Sequence, residues 1–287
     1  MNTSARYPLQ QNYVIFHPSD FSEASEAAFA HALKIALQAK ARLEIMHVES
    51  ETRLMGRDWL DFPGVRSTLA RWGILPANAR RDEVAKTGMR VTKIVALNSD
   101  PVESMIRQFG THRPDLIVLA THQRDGLARW MHKPVAEPLA RKSGAMTLFV
   151  PRDGRGFVDL DRGNVRLKRV LIPIDHSPNP QIALDKASLL ARGVGSVDVE
   201  FVLLYVRSGA TIPFVERPAG PGWSFEEIER EGNVVDEILK AETEYRADLM
   251  VLATQGHLDF LDALRGSTTE RVLRGAHCPV LAVPAQA

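Results

Sequence analysis

The chain repeats itself, and the repeat runs in the same order through both halves. "VIFHPSDFS" (14–22) matches "VLIPIDHS" (170–177): an apolar run, a proline, one residue, an aspartate, one residue, a serine. "DLIVLATHQ" (115–123) matches "DLMVLATQG" (248–256), and "TLFVP" (147–151) matches "VLAVP" (280–284). Whatever unit the first half builds, the second must build again. The 287 residues then divide into two units of about 150 residues or fewer, an ordinary domain size. Asp20 lies 100 residues before Ala120, but Asp175 lies only 78 before Ala253, so the second copy is shorter by 100 − 78 = 22 residues. Ala120 to Pro151 and Ala253 to Pro284 both span 31 residues, so the shortening falls upstream of Ala253.

Each copy alternates strand and helix signals. Val14–Phe16, Leu43–Val48, Val91–Leu97, Leu116–Ala120 and Thr147–Val150 are short apolar or β-branched runs, as expected for strands of a parallel sheet covered on both faces. Between the first two, Phe29, Ala32, Leu33, Ala36 and Leu37 form one helical stripe, with Ser22 as its predicted N-cap. Asp100-Pro101 opens another helix over 100–113. The second copy offers Arg169–Ile174, Val197–Val206, Trp223–Ile228, Leu249–Ala253 and Val280–Val283, with its first helix starting near Ser177-Pro178 or Asn179-Pro180. Strands alternating with helices give right-handed βαβ units. Pro213, Pro218 and Pro221 forbid a long helix over 207–222, whereas 64–88 can hold one, so the missing residues are read as that helix and its loop. The predicted organisation is a first domain over 1–150, a linker over 151–168 and a shortened second domain over 169–287. In the linker, "FVDL" and "VRLK" alternate about "DRGN", a hairpin signal that competes with a floppy connection.

Composition removes several function classes. Hydrophobic residues are 45% and charged residues 25%, ordinary globular values. Net charge is +1 and no basic, aromatic-rich stripe appears, which argues against nucleic acid as a partner. The halves differ, with 20 Lys/Arg against 15 Asp/Glu in 1–150 and 16 against 20 in 151–287. This is either drifted surface composition or a charge pair that helps the halves dock. No run spans a bilayer and the first residues lack a signal-peptide core, so a soluble cytoplasmic protein is expected. The single Cys278 excludes an internal disulfide and a Cys-based zinc cage, and is read as a structural thiol rather than a redox sensor. Nine histidines form no ligand-spaced cluster; His122 and His132 are read as surface residues. Trp59, Trp72 and Trp130 are packing or surface anchors. No G-x4-G-K-[ST], G-x-S-x-G or H-E-x-x-H is present, and neither a catalytic nor a metal site is assigned.

The Pro-x-Asp-x-Ser after each first strand and the ending "ATQGHLDFLDALRGSTTERVLRGAHCPVLAVP" (253–284) resemble the universal stress protein family. The likeness covers both halves in tandem. It implies an α/β fold of two doubly wound domains, each a five-stranded parallel sheet of order 3-2-1-4-5, with ligand above the strand C-termini. It further implies that the domains pair through their last strands as an internal pseudo-dimer, with homodimerisation of the whole chain an open question.

The family's nucleotide-binding members carry G-x2-G-x9-G-[ST] at that ending. Here Ala253 replaces the first glycine, Gly256 matches the second, and Gly266-Ser267 match the close of the pattern. A helix starting after Ser267, with Thr268 in its first turn, would present free N–H groups to phosphate. Ser267 to Glu270 also reads as a capping box, and both readings of Ser267 stand. Asp259 and Asp262 would repel an anion there, and His257 and Arg265 could offset them. By resemblance Asp175 contacts the adenosine part of the ligand, against a role in turn formation, and Val206 lies beside the adenine. In the first half the pattern positions hold Ala120, Gln123 and Lys133-Pro134, with no glycine, and Asp20 is read as a turn residue. That half is a degenerate domain, kept for pairing or for a protein partner. The leading expectation is a non-catalytic stress-response protein that binds ATP or a related nucleotide in its second half. The alternatives are a nucleotide-free scaffold and a weak ATP hydrolase.

Overall fold

The computed structural model describes residues 13–19, 23–49, 64–97, 100–121, 145–152, 154–207, 209, 211–255 and 268–285. The first half contributes β1 (Val14–Pro18), α1 (Glu23–Ala39), β2 (Arg42–Glu49), α2 (Val65–Arg71), α3 (Arg81–Lys86), β3 (Arg90–Leu97), α4 (Pro101–Thr111), β4 (Leu116–Thr121) and β5 (Met146–Pro151). The second contributes β6 (Arg169–Ile174), α5 (Gln181–Gly193), β7 (Glu200–Val206), β8 (Ser224–Arg230), α6 (Val234–Tyr245), β9 (Leu249–Thr254), α7 (Thr268–Gly275) and β10 (Val280–Pro284).

Among the described residues, the ten strands form one sheet in the order β3-β2-β1-β4-β5-β10-β9-β6-β7-β8. Each half is thus a parallel 3-2-1-4-5 sheet, and the two meet at their last strands, as the repeat and the resemblance imply. The seam is antiparallel, pairing Val280 with Phe149, Leu281 with Leu148 and Ala282 with Thr147. Both seam strands are buried along their whole length, which is why "MTLFVP" and "VLAVP" are almost continuously apolar.

The helices cover the sheet through small residues. Ala28, Ala32 and Ala36 of α1 and Ala183, Ala187 and Ala191 of α5 are buried, so helix backbones can approach the strands closely. α1 and α5 also touch each other across the seam. The main apolar cluster therefore runs without a break from Ile15 and Leu33 in one half to Leu184 and Leu249 in the other. The halves share a core on this face. On the opposite face one cluster lies under α6 and α7 and takes in Phe149 of β5, and another lies under α4 in the first half.

The connection between halves is folded back on the first half. Val158 and Val165 form an antiparallel bridge. The Asp159 carboxylate accepts N–H bonds from Asp161 and Arg162, and Gly163 takes a positive φ of 66°, which closes the turn. Two side chains of the first half hold this hairpin. The Trp72 indole N–H donates to the Leu160 carbonyl at 3.0 Å, so Trp72 is a packing residue. The buried His31 donates from Nδ1 to the Ala27 carbonyl at 2.7 Å, which leaves Nε2 to accept from the N–H groups of Phe157 at 3.1 Å and Val158 at 3.3 Å. Burial pushes the imidazole down to about 4, so it stays neutral, the only form able to accept at Nε2.

The shortened stretch has no helix among the described residues of 207–222. It runs instead as an irregular strap over 211–220, while 64–88 holds the expected helix as α2 and a second short one, α3. Gly73, with φ of 69°, and Pro76 separate them. α4 begins at Pro101 as expected, and α5 begins after Asn179-Pro180, with the Asn179 side chain accepting the Gln181 N–H at 3.0 Å. Ser22, Trp59, His122, Trp130 and His132 lie outside the described residues.

Candidate functional site

In the second half the chain leaves β6 for β7 on one side and later returns to β9 on the other. This reversal opens a crevice beyond the strand C-termini, where doubly wound sheets bind ligands. A cavity of about 360 Å³ occupies it, a volume near the lower end of ligand pockets. Leu204 and Val206 at the end of β7, Leu252 in β9, and Val234 and Ile238 on α6 form an apolar wall. Asp175, Ser177, Thr254, Gln255, Thr268 and Thr269 supply polar groups.

Local chemistry sets each of these residues. Asp175 follows the last residue of β6, is exposed, and accepts the His176 N–H at 2.7 Å, so its carboxylate shapes the turn at the cavity rim. Gln255 donates to the Ser177 hydroxyl at 3.3 Å, tying the end of β9 to the same turn. Asn233 caps α6 by accepting from the N–H groups of Val235 and Asp236, which fixes the first turn that carries Val234. Val234 and Ile238 are four apart and face the cavity together. α7 points its N-terminal turn, Thr268 and Thr269, at the same space.

Four of the residues singled out from sequence, Asp175, Val206, Ala253 and Thr268, line this one cavity. Gly256, Gly266 and Ser267 lie outside the described residues, as do His257, Asp259, Asp262 and Arg265. The α6 wall, Val234 and Ile238, was missed by the motif reading. Its i, i+4 spacing just after the third strand was the available signal.

The first-half counterpart is built differently. Pairing of β1 with β2 sets Pro18 opposite Met46, as β6 sets Pro173 opposite Leu204. Ser19 therefore stands where the second half has Ile174, and His47 where it has Tyr205. His47 donates from Nδ1 to the Ser19 carbonyl at 2.8 Å, and the hydroxyls of Ser19 and Ser25 are 3.4 Å apart. These strand ends are tied to one another by polar contacts. Ala120 is half-buried; Asp20, Gln123, Lys133 and Pro134 lie outside the described residues.

Cys278 is buried, and burial foremost, then the charge of Glu242, raises its thiol well above the ordinary value. That suits the structural reading and opposes thiolate chemistry. Glu242, itself buried, accepts the N–H groups of His277 and Cys278 at 2.6 and 2.7 Å and so fixes the turn that feeds β10. Among the described residues no group of three His, Cys, Asp or Glu is placed to hold a metal, and no helix is long and apolar enough to cross a membrane.

Comparison with known proteins agrees with this architecture. The profile of the universal stress protein family matches residues 14–151 and 214–284. A universal stress protein of Methanocaldococcus jannaschii is 28% identical over 143 residues, an alignment covering 40% of this chain and 81% of that protein. Among solved structures, a universal stress protein from Archaeoglobus fulgidus superposes with a TM-score of 0.57 at 16% identity, covering 95% of this chain and 98% of that one. A putative universal stress protein from Pseudomonas aeruginosa gives 0.58 at 14% identity, covering 96% and 93%. Two domains of one fold joined at their last strands define a tandem α/β protein. The chain belongs to the universal stress protein family.

Proposed function

We propose that the second half binds ATP or a related nucleotide in the cavity beyond β6, β7 and β9, and that the protein serves a stress response without catalysing a reaction. The observation that carries this reading is the convergence of Asp175, Val206, Ala253 and Thr268 on one cavity. Its two ends suit the two ends of a nucleotide. The apolar wall of Leu204, Val206, Val234 and Ile238 suits a base, with Asp175 at the rim in reach of adenosine hydroxyls. The opening turn of α7 carries the positive end of a helix dipole and N–H groups that a helix itself cannot pair, which suit phosphate. In this reading Gly256, Gly266, Ser267 and Thr268 surround the phosphates, glycine allowing backbone to approach the anion.

Calorimetric titration with ATP tests the reading. The expected result is one site per chain. Gly266→Val abolishes binding and leaves the fold intact. Ser267→Ala weakens binding less, since the backbone N–H remains; if Ser267 caps α7, it also costs about 1 kcal/mol of stability, measured by urea unfolding. Two equal sites, or one site that survives Gly266→Val and is lost on Lys133→Ala, would place the nucleotide in the first half. No heat at millimolar ATP would leave the protein a nucleotide-free scaffold.

A further inference from the structure

The cavity rim is fastened to the strap that replaced the missing helix. Asp175 and Ser177 line the cavity, while His176 between them turns its ring away, edge-on to the buried Tyr205 with centroids 6.3 Å apart. Its Nε2 donates to the Thr211 carbonyl at 2.7 Å. A few residues on, Pro180 lines the cavity and Gln181 makes a reciprocal pair with the strap. The Glu216 N–H donates to Gln181 Oε1 at 2.7 Å, and Gln181 Nε2 donates to the Glu216 carbonyl at 3.1 Å. Between these two anchor points Val215 is buried and holds the strap on the core, while Phe214 projects outward, 88% exposed. The rim and residues 211–216 thus share their hydrogen bonds side chain to backbone. Neither can shift while the other stays in place, unless those bonds break.

We propose that His176 and Gln181 act as positioning residues that couple cavity occupancy to the strap 211–216, making the strap the outward reporter of whether the second-half site is filled. This inference rests on the nucleotide reading of the cavity. A ligand that engages Asp175 draws the 175–181 turn into one geometry, and the fastened strap is held with it. The first half has no such device in its described residues, since its α2 and α3 occupy the matching stretch.

The test is hydrogen–deuterium exchange of the peptide 211–217 in the full chain, with ATP binding followed in parallel by calorimetry. Saturating ATP is expected to slow exchange of this peptide by about fivefold. His176→Ala is expected to lose that response while ATP still binds. His176→Gln is expected to restore it, because the glutamine amide can donate from the place of the imidazole Nε2; a packing role for the ring would not be rescued this way. ATP heat with unchanged exchange in the wild type overturns the coupling and leaves nucleotide binding standing. A full response in His176→Ala likewise overturns it. Absence of ATP heat overturns both readings together.

Discussion

The two halves share a topology strand for strand and differ most where their strands end. At the C-termini of β1 and β2, Ser19 is bonded to His47 and to Ser25 of α1; at the C-termini of β6 and β7, apolar Ile174, Leu204 and Val206 line an open cavity. The connection from second to third strand differs as well, helical in one half and an irregular strap in the other. The seam strands β5 and β10 differ least. A duplicated domain keeps the positions that bury apolar area against the other copy and is free to change those that meet solvent or ligand. Divergence therefore collects at the strand ends, the same places that decide binding.

The strongest way to break this comparison is to attack what the halves share. Leu281 is buried in the seam and packed in the common cluster. Leu281→Ala should cost about 2–5 kcal/mol through lost burial and the cavity left behind. Because the cluster spans both halves, calorimetry should show one unfolding transition moved as a whole. Two transitions, of which only one moves, would mean that the halves are thermodynamically separate.

The next effect concerns where the linker belongs. His31 is held at about 4, below its ordinary 6.5. Between those values the unfolded chain binds a proton that the folded chain refuses, so the contribution is complete above pH 6.5 and is lost as pH falls toward 4. From pH 6.5 to 5 the loss should be about 2 kcal/mol, read by urea unfolding at the two pH values. His31→Gln keeps an acceptor but does not titrate, so that part of the slope should vanish. An unchanged slope would show that the hairpin does not depend on the imidazole.

The smallest effect sharpens the contrast at the cavity wall. Asn233→Ala removes the cap of α6 and should cost about 1 kcal/mol. Val234 sits in the turn that this cap fixes, so ATP affinity should fall modestly as well. A stability loss with unchanged affinity would place the base away from α6.

Much of the fold could be read from the sequence because a parallel sheet covered on both faces writes itself as apolar runs. β1, β4, β5, β6, β9 and β10 fall where those runs are. The helix expected within 64–88 is present as α2, and Gly73 and Pro76 separate it from a second short helix, α3. β8 overlaps the run expected at Trp223–Ile228, although "SFEEIER" lies at the sheet edge, where ion pairs such as Arg217–Glu227 and Arg207–Glu229 replace burial. Asp175 and Val206 stand out through the family resemblance, at strand ends that the runs locate, and both line the cavity. Val234 and Ile238 show in the sequence only as an i, i+4 pair after the third strand; that α6 lies over the point where the chain reverses is set by tertiary packing.

The antiparallel seam turns the ten-stranded sheet into a body with two poles. Every strand of the first half runs against every strand of the second, so their carboxyl ends emerge at opposite margins. Anything gripping the polar strand ends of the first half sits at the far margin from the second-half cavity. The duplication leaves the two sets of strand ends facing opposite directions from one shared sheet.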